Sequence, residues 1–149
     1  MEKLWGESTP KLFGYLMNTL RDKSLAEDIL QSTWTKAIEA LPRYQERGLP
    51  FSSWLFAIAR NECRLHWRKE NREIAFDAQE HDIPISTSPE PSVLAEQILA
   101  QLSKDDRELL RLRYIADLSM HDIAKIINTN SVAVRVRIHR ALKRAHQHV

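Results

Sequence analysis

A segment from residue 74 to residue 91 divides the chain and limits what it can fold into. It holds three prolines and four carboxylates but no lysine or arginine. Proline fixes φ and lacks a backbone donor, and such a polar, acidic stretch cannot bury a core, so neither helix nor strand is favoured. We predict a flexible linker of 18 residues, which would span roughly 20 to 25 Å as a coil. Residues 1–73 and 92–149 should then form two small domains.

Both flanking segments have the composition of helices. Only three glycines occur in 149 residues, strand-like alternation is scarce, and good helix formers dominate, so we predict an all-α protein. The longest apolar run, residues 54–59, is much shorter than the roughly 20 residues that a membrane span needs. No apolar segment follows Met1, and we therefore expect a cytoplasmic protein without membrane insertion.

Three helices are predicted in the first domain. Thr9-Pro10 fits an N-cap followed by proline at the first helical position. Ser24 fits the start of a capping box for a second helix, which should stop at Pro42. A third helix should extend from about Phe51 to about Arg72, because no breaker interrupts it. Cys63 on that helix is predicted to be a small packing residue.

The second domain is predicted to end in a helix-turn-helix. A helix should precede Ser103, which may serve as the N-cap of the next one. Ser119 fits a capping box for a short helix that ends at the polar turn 128–130. Ser131 is then predicted to cap a long final helix. A short helix, a polar turn and a longer basic helix are typical of DNA-binding proteins.

The final helix is predicted to have a packing face and a basic face. Residues 123–149 hold six Lys or Arg and no carboxylate. Arg135 and Arg140 are the predicted base readers, because a guanidinium can pair with both O6 and N7 of guanine. A solvated basic face is the alternative, and His139 fits the DNA side better than a metal site. The spacing assigns five residues to the packing face: Val134, Ile138, Ala141, Leu142 and Ala145.

The third helix mixes aromatic and basic residues, which suits single-stranded DNA. Aromatic rings can stack on unpaired nucleobases, while Arg and Lys side chains follow the phosphates. Trp54 is predicted to pack inside, and Trp67 to lie either inside or near DNA. Asn61, Arg64 and Arg68 are the exposed candidates for DNA contact.

The segment 26–34, Ala-Glu-Asp-Ile-Leu-Gln-Ser-Thr-Trp, resembles a region-two motif of bacterial RNA polymerase sigma factors. Within that family the chain resembles the small extracytoplasmic-function (ECF) group, which keeps only regions two and four. The resemblance implies that Asp28, Gln31 and Trp34 dock on the beta-prime clamp helices of the polymerase core. An ordinary amphipathic helix is the alternative for this segment.

Two further segments resemble sigma regions that contact the promoter. Residues 43–61 resemble the loop and helix that capture the minus-ten element, which implies that Tyr44 and the loop after it hold a flipped base beside Asn61. Residues 118–124 and 134–141 resemble region four, which reads the minus-thirty-five element. The chain departs from the family at Val132-Ala133, where Gly-Thr is common, and at Val136, where serine is usual. The implied upstream readers are Arg135, Val136, His139 and Arg140, with Lys143 beside them.

The resemblance implies a transcription initiation factor with no catalytic site and no cofactor. Its implied partners are the RNA polymerase core, through the beta-prime clamp helices and the beta subunit, promoter DNA and an anti-sigma factor. A helix-turn-helix regulator that does not engage the polymerase core is the alternative. An enzyme is disfavoured because the sequence has no glycine-rich phosphate loop, no His-Glu-x-x-His motif and no nucleophile elbow.

Overall fold

The structure is a computed structural model that describes residues 2–45, 48–74, 97 and 101–147. Every regular element in these residues is helical, which confirms the all-α prediction for this part of the chain. The predicted linker and most of the helix before Ser103 lie outside the described residues. The α-helices are α1 (Glu2–Leu20), α2 (Lys23–Ala40), α3 (Phe51–Ile74), α4 (Lys104–Leu110), α5 (Met120–Ile126) and α6 (Ser131–Gln147). A 3-10 turn, Leu41–Arg43, follows α2, and a wide π-type turn, Arg111–Ile115, follows α4.

The starts of α1 and α2 differ from the sequence-based expectation. α1 begins at Glu2 and contains Pro10, so the predicted start at Thr9-Pro10 is wrong. Proline lacks the N–H that would bond to the carbonyl of Gly6, and burial of the apolar face of α1 stabilises the helix across that gap. α2 is capped by Asp22, whose carboxylate accepts from the Leu25 amide at 3.1 Å. The predicted cap at Ser24 is therefore wrong, and an acidic cap also suits the helix dipole.

The caps in the second half largely follow the prediction. Ser103 accepts a hydrogen bond from the Asp106 amide at 3.2 Å, and Ser119 accepts one from the Asp122 amide at 3.1 Å. α6 is capped by Asn130, which accepts from the Ala133 amide at 2.8 Å, so the predicted cap at Ser131 is off by one residue. These caps fix the first turn of each helix in the helix-turn-helix.

The helices of both halves share one hydrophobic core. Side chains of α1 and α3 belong to the same buried cluster as side chains of α4, α5 and α6. A smaller cluster lies between α2 and α3. Cys63 is 1% exposed, which confirms its packing role, and burial raises the pKa of its thiol to about 12. The largest fully buried side chains include Leu12, Tyr15, Leu16, Phe56, Leu109, Leu112 and Ile123.

A buried polar cluster centred on Glu108 joins the two halves. The Tyr15 hydroxyl donates to Glu108 Oε1 at 2.6 Å, and Arg60 Nε lies 3.3 Å from the same oxygen. Arg111 Nη1 lies 3.8 Å from Glu108 Oε2, while its Nε donates to Asn18 Oδ1 at 2.9 Å. Burial lowers the pKa of Arg111 and, together with the nearby Glu108 charge, raises the pKa of Tyr15. α1, α3 and α4 are therefore held together by a shared charge network.

α5 makes a second contact between the halves, against the loop that precedes α3. Lys125 Nζ donates to the carbonyl of Gly48 at 2.6 Å. The Ser53 hydroxyl donates to Asp122 Oδ2 at 2.8 Å, so this carboxylate ties α5 to the first turn of α3. An exposed ion pair between Lys11 and Asp117, 3.6 Å apart, adds a contact at the rim. Among the described helices, none has both the length and the hydrophobicity to cross a membrane.

Candidate nucleic-acid and polymerase interfaces

The predicted polymerase-docking residues divide between the surface and the core. Asp28 and Gln31 are exposed on α2. Trp34 is only 7% exposed and packs with Ala37 and Leu55. The side chain therefore supports α2 from behind, and its role in docking on the clamp helices stays a prediction. The motif 26–34 alone does not show which of its residues are exposed and which are buried behind them.

The surface around Asp28 and Gln31 is a shallow, polar depression of about 480 Å³. Lys36 Nζ forms an ion pair with Glu62 Oε1 at 2.5 Å, which ties α2 to α3 beneath this surface. Sequence reasoning did not assign these two residues, although their opposite charges on adjacent helices are a usable signal. The lining residues are Asp28, Gln31, Ser32, Thr35, Lys36, Glu39 and Glu62.

Tyr44 belongs to an aromatic cluster at the start of α3. Its ring centroid lies 4.7 Å from that of Trp54 and 5.9 Å from that of Phe51. Its hydroxyl donates to the carbonyl of Leu49 at 2.7 Å. The ring is therefore held in place by contacts on two sides, and the half-buried Trp54 packs within this cluster and not in the deep core.

A second shallow feature, an open surface cavity of about 440 Å³, lies next to this cluster, between α2 and α3. Trp54 provides an aromatic wall, and Asn61 provides an exposed amide on the rim. A cavity with these groups can stack one unpaired base and hydrogen-bond its edge. Sequence reasoning did not assign Lys36 or Arg43 to this site, although Arg43 directly precedes Tyr44. The full lining is Lys36, Glu39, Ala40, Arg43, Trp54, Ala57, Ile58 and Asn61.

The basic end of α3 continues from this cavity. Arg64 and Arg68 are exposed, and they follow Asn61 at spacings of three and seven residues, so all three share one side of the helix. Trp67 is half-buried and packs against the shared core, with Lys104 Nζ 5.9 Å from its ring centroid. Trp67 thus packs partly inside, and its contact with DNA stays a prediction.

α6 separates a buried face from an exposed basic face. Val134, Ile138 and Ala141 are at most 2% exposed, and the exposed residues lie on the other side of the helix. Leu142 was predicted to pack but is 41% exposed, because it lies at the edge between the two faces. The five predicted upstream readers are all exposed on one side: Arg135, Val136, His139, Arg140 and Lys143.

Arg144 anchors α6 to α4 and does not extend the free basic face. Its Nη1 lies 3.2 Å from Asp106 Oδ2, and its Nε donates to the carbonyl of Arg140 at 3.3 Å.

Within the described residues, no group of three or more metal-binding side chains lies close enough together to hold a metal ion. The exposed side of α6 thus combines two arginines, a lysine and a histidine that lack any acidic neighbour on this helix.

Comparison with known proteins gives consistent results for both halves. Residues 4–73 match the Sigma-70 region 2 model, and residues 92–144 match the Sigma-70 region 4 model. The chain is 32% identical over 149 residues to RNA polymerase sigma factor CarQ of Myxococcus xanthus, covering 96% of this chain and 85% of CarQ. It is 33% identical over 128 residues to ECF RNA polymerase sigma factor SigD of Mycobacterium tuberculosis, covering 80% of this chain and 60% of SigD.

Two solved structures share the fold. The sigma factor RpoE of Bartonella quintana, in complex with the anti-sigma factor NepR, superposes with a TM-score of 0.83 at 25% identity, covering 98% of this chain and 93% of that chain. CnrH, in complex with the cytosolic domain of CnrY, has a TM-score of 0.73 at 23% identity, covering 98% and 84%. The two region models in order and the match along nearly the whole of CarQ decide the family. The chain belongs to the sigma-70 family of RNA polymerase sigma factors, in its extracytoplasmic-function group.

Proposed function

We propose that this sigma factor binds the RNA polymerase core through α2 and promoter DNA through α3 and α6, and so directs promoter recognition and strand opening. The observation that carries the proposal is the presence of both sigma regions, in order, on one chain. The protein supplies binding energy, while the polymerase performs the chemistry in the cytoplasm. Residues 1–73 and 92–149 act as two domains that reach separate sites, joined by the segment 74–91.

Asp28 and Gln31 contact the beta-prime clamp helices in this proposal. Both side chains are exposed on α2, and the depression around them offers carboxylate, amide and hydroxyl groups to a partner. Trp34 contributes by holding α2 against α3 from the core. A charged and polar contact of this kind supplies specificity and register at a protein interface.

The cavity beside Trp54 holds an unpaired base of the minus-ten element. Flipping a base out of the duplex costs a few kcal/mol, and stacking on an aromatic ring contributes about 1–3 kcal/mol per base. Tyr44 fixes the Trp54 ring, and Asn61 hydrogen-bonds the edge of the base. Arg64 and Arg68 follow the phosphates along the same side of α3.

α6 enters the major groove at the minus-thirty-five element. Arg135 and Arg140 suit bidentate contacts to guanine, and His139 suits a base edge or a phosphate. Lys143 lies farther along the helix and suits a phosphate, which positions the helix without reading sequence. Val136 lies among these residues on the exposed face.

An anti-sigma factor is the proposed regulatory partner. The sigma factor RpoE was solved with the anti-sigma factor NepR, and CnrH with the cytosolic domain of CnrY. Nearly the whole of this chain superposes on both sigma chains. A partner that covers α2, α3 or α6 of this chain would compete with polymerase or promoter.

The decisive experiment measures binding of the full chain to bacterial core RNA polymerase. The double variant Asp28→Arg with Gln31→Ala should lose binding, while Glu7→Arg, the same charge change at an exposed position of α1, should retain it. The helix-turn-helix regulator would be favoured instead if the full chain bound promoter DNA while neither the parent nor the control variant bound core polymerase. Circular dichroism of each variant checks that the helices remain folded.

A further inference from the structure

Two valines are exposed at the start of α6, the proposed recognition helix. Val132 is 67% exposed and Val136 is 42% exposed. They are four residues apart and therefore lie one above the other on the same side of the helix. His139 and Lys143 continue the same line, and the buried Val134 lies on the opposite side. The exposed face of α6 thus carries two valines beside Arg135 in its first turns and mostly basic side chains later.

These valines do not contribute to the core or to helix stability. Neither belongs to the buried clusters of the protein. Valine is less favourable than alanine inside a helix because its branched side chain restricts χ1 against the preceding turn. Val132 and Val136 therefore need an explanation other than folding.

The basic residues around the valines favour a negatively charged partner, and the valines themselves favour one that also has apolar groups. Arg135 and Arg140 flank the two valines, and residues 123–149 contain no carboxylate. Asn130 caps α6 and fixes the backbone of the turn that carries Val132. The first residues of a helix-turn-helix recognition helix are those that reach base edges. In the major groove the apolar group on a base edge is the C5-methyl group of thymine.

We infer that Val132 and Val136 read thymine methyl groups in the upstream promoter element. This inference rests on the proposed function of α6 and adds the base that its first turns select. The flanking arginines pair with guanines, so the element recognised by this chain combines guanine with thymine at neighbouring positions. Replacement of serine by valine at position 136 exchanges a hydrogen-bonding group for one that contacts a methyl group.

The test compares thymine with uracil, which differs from it by the missing methyl group alone. Holoenzyme made from the full chain and bacterial core polymerase first selects its upstream element from a random-sequence duplex library. Each thymine of the selected element is then replaced by uracil, and the affinity of the holoenzyme is measured at one fixed salt concentration. We expect about a fourfold loss at one or two positions, the amount that burial of one methyl group supplies.

Variants of the two valines assign the effect to these side chains. Val132→Ala and Val136→Ala should each weaken binding to the thymine element and abolish the difference between thymine and uracil at one position. Arg135→Ala is the matched control on the same turn: it should weaken both DNAs alike and leave their ratio unchanged. Alanine favours helix, so these variants are expected to fold.

Three results would overturn the inference while leaving the proposed function intact: a selected element without thymine, equal binding of thymine and uracil DNA, or a ratio that persists in both valine variants. Valine variants that bind DNA normally but lose core polymerase would show that this surface contacts protein, and would also overturn it. A holoenzyme that selects no upstream element would contradict the proposed function itself.

Discussion

Tyr15 and Glu108 are 93 residues apart in the sequence, yet the Tyr15 hydroxyl donates to Glu108 Oε1 at 2.6 Å. Tyr15 is fully buried on α1, and Glu108 lies on α4, so this bond joins the two sigma regions directly. Arg60 and Arg111 also approach the carboxylate of Glu108. A single side chain thus provides acceptors for three donors from two halves of the chain.

Replacing Glu108 should loosen the packing of the two halves against each other, which we call the closed state. Glu108→Ala removes the acceptor of the Tyr15 hydroxyl and the carboxylate beside Arg60 and Arg111, while Arg111 keeps its bond to Asn18. Losing one partner of such a buried network costs about 2–4 kcal/mol. We expect the radius of gyration to rise above the roughly 15 Å of a compact chain of this length. Small-angle X-ray scattering measures that change, and circular dichroism checks that the helices persist.

An exposed ion pair supplies the control for this experiment. Lys11 and Asp117 also join the halves, but their side chains are 56% and 70% exposed. Exposed pairs contribute about 0–1 kcal/mol, so Lys11→Ala should leave the radius unchanged. An unchanged radius in a folded Glu108→Ala variant would show that the apolar contacts alone hold the halves together.

Removing the Asn61 side chain should impair strand opening while sparing polymerase binding. Asn61→Ala deletes the amide on the rim of the cavity, and one hydrogen bond contributes about 1 kcal/mol, or roughly fivefold in affinity for the opened minus-ten strand. Permanganate reactivity of unpaired thymines on a promoter selected by the holoenzyme measures opening. Asn71→Ala, also exposed on α3, is the matched control, and equal losses in both variants would contradict a role for the cavity.

Lys143 should contribute to the salt dependence of promoter binding. Each phosphate contact releases condensed counterions, so Lys143→Ala should make the slope of log affinity against log salt less negative by about 0.9. Titration of holoenzyme with promoter DNA at several salt concentrations gives the slope. Lys23→Ala removes an equal charge at the exposed start of α2, outside the proposed DNA surfaces, and should leave the slope as in the parent. If the control variant changed the slope and Lys143→Ala did not, the phosphate contact would not be at Lys143.

Alkaline pH should destabilise the fold through Cys63. Burial raises the pKa of this thiol from 9.0 to about 12, so the folded state keeps a proton that the unfolded state loses. Stability therefore falls as pH rises above 9, by about 1.4 kcal/mol per pH unit. Tyr15 adds to this fall above pH 10, because burial and Glu108 also raise its pKa.

Urea unfolding between pH 8 and pH 10.5 tests the contribution of Cys63. Cys63→Ala should lower stability at neutral pH because it removes a buried sulfur, but its stability should decline less steeply above pH 9. Tyr15→Phe should keep the decline that begins at pH 9. Parallel curves for the parent and Cys63→Ala would refute the assignment to this thiol.

Local chemistry made several elements predictable from the sequence. Ser103 and Ser119 cap helices as expected, because a cap depends on a side chain and an amide three residues apart. The span of α3 was predicted within two residues at its end, since no breaker lies between residues 51 and 72. The exposed side of α6 also followed from helical spacing.

Tertiary contacts account for the predictions that were wrong. Pro10 is tolerated inside α1 because the helix packs against both α3 and the second half, which no local signal reports. The burial of Trp34 is a tertiary contact with Leu55 of α3, which the motif around it does not encode. The cluster around Glu108 joins residues about 50 and 90 positions away, and such pairing cannot be inferred from spacing in one sequence. The docking and DNA-reading roles of individual residues stay predictions.

The contact of α5 with the loop before α3 makes closure and promoter engagement competing states. Lys125 and Asp122 hold Gly48 and Ser53 beside the cavity that we assign to the minus-ten element. The two promoter elements, by their names, are centred about 25 base pairs apart, or roughly 85 Å along B-form DNA, whereas a compact chain of this length is only about 40 Å across. The closed protein can therefore touch one element but cannot span both. The free energy of closure is therefore a cost that binding of core polymerase and of both promoter elements must together offset.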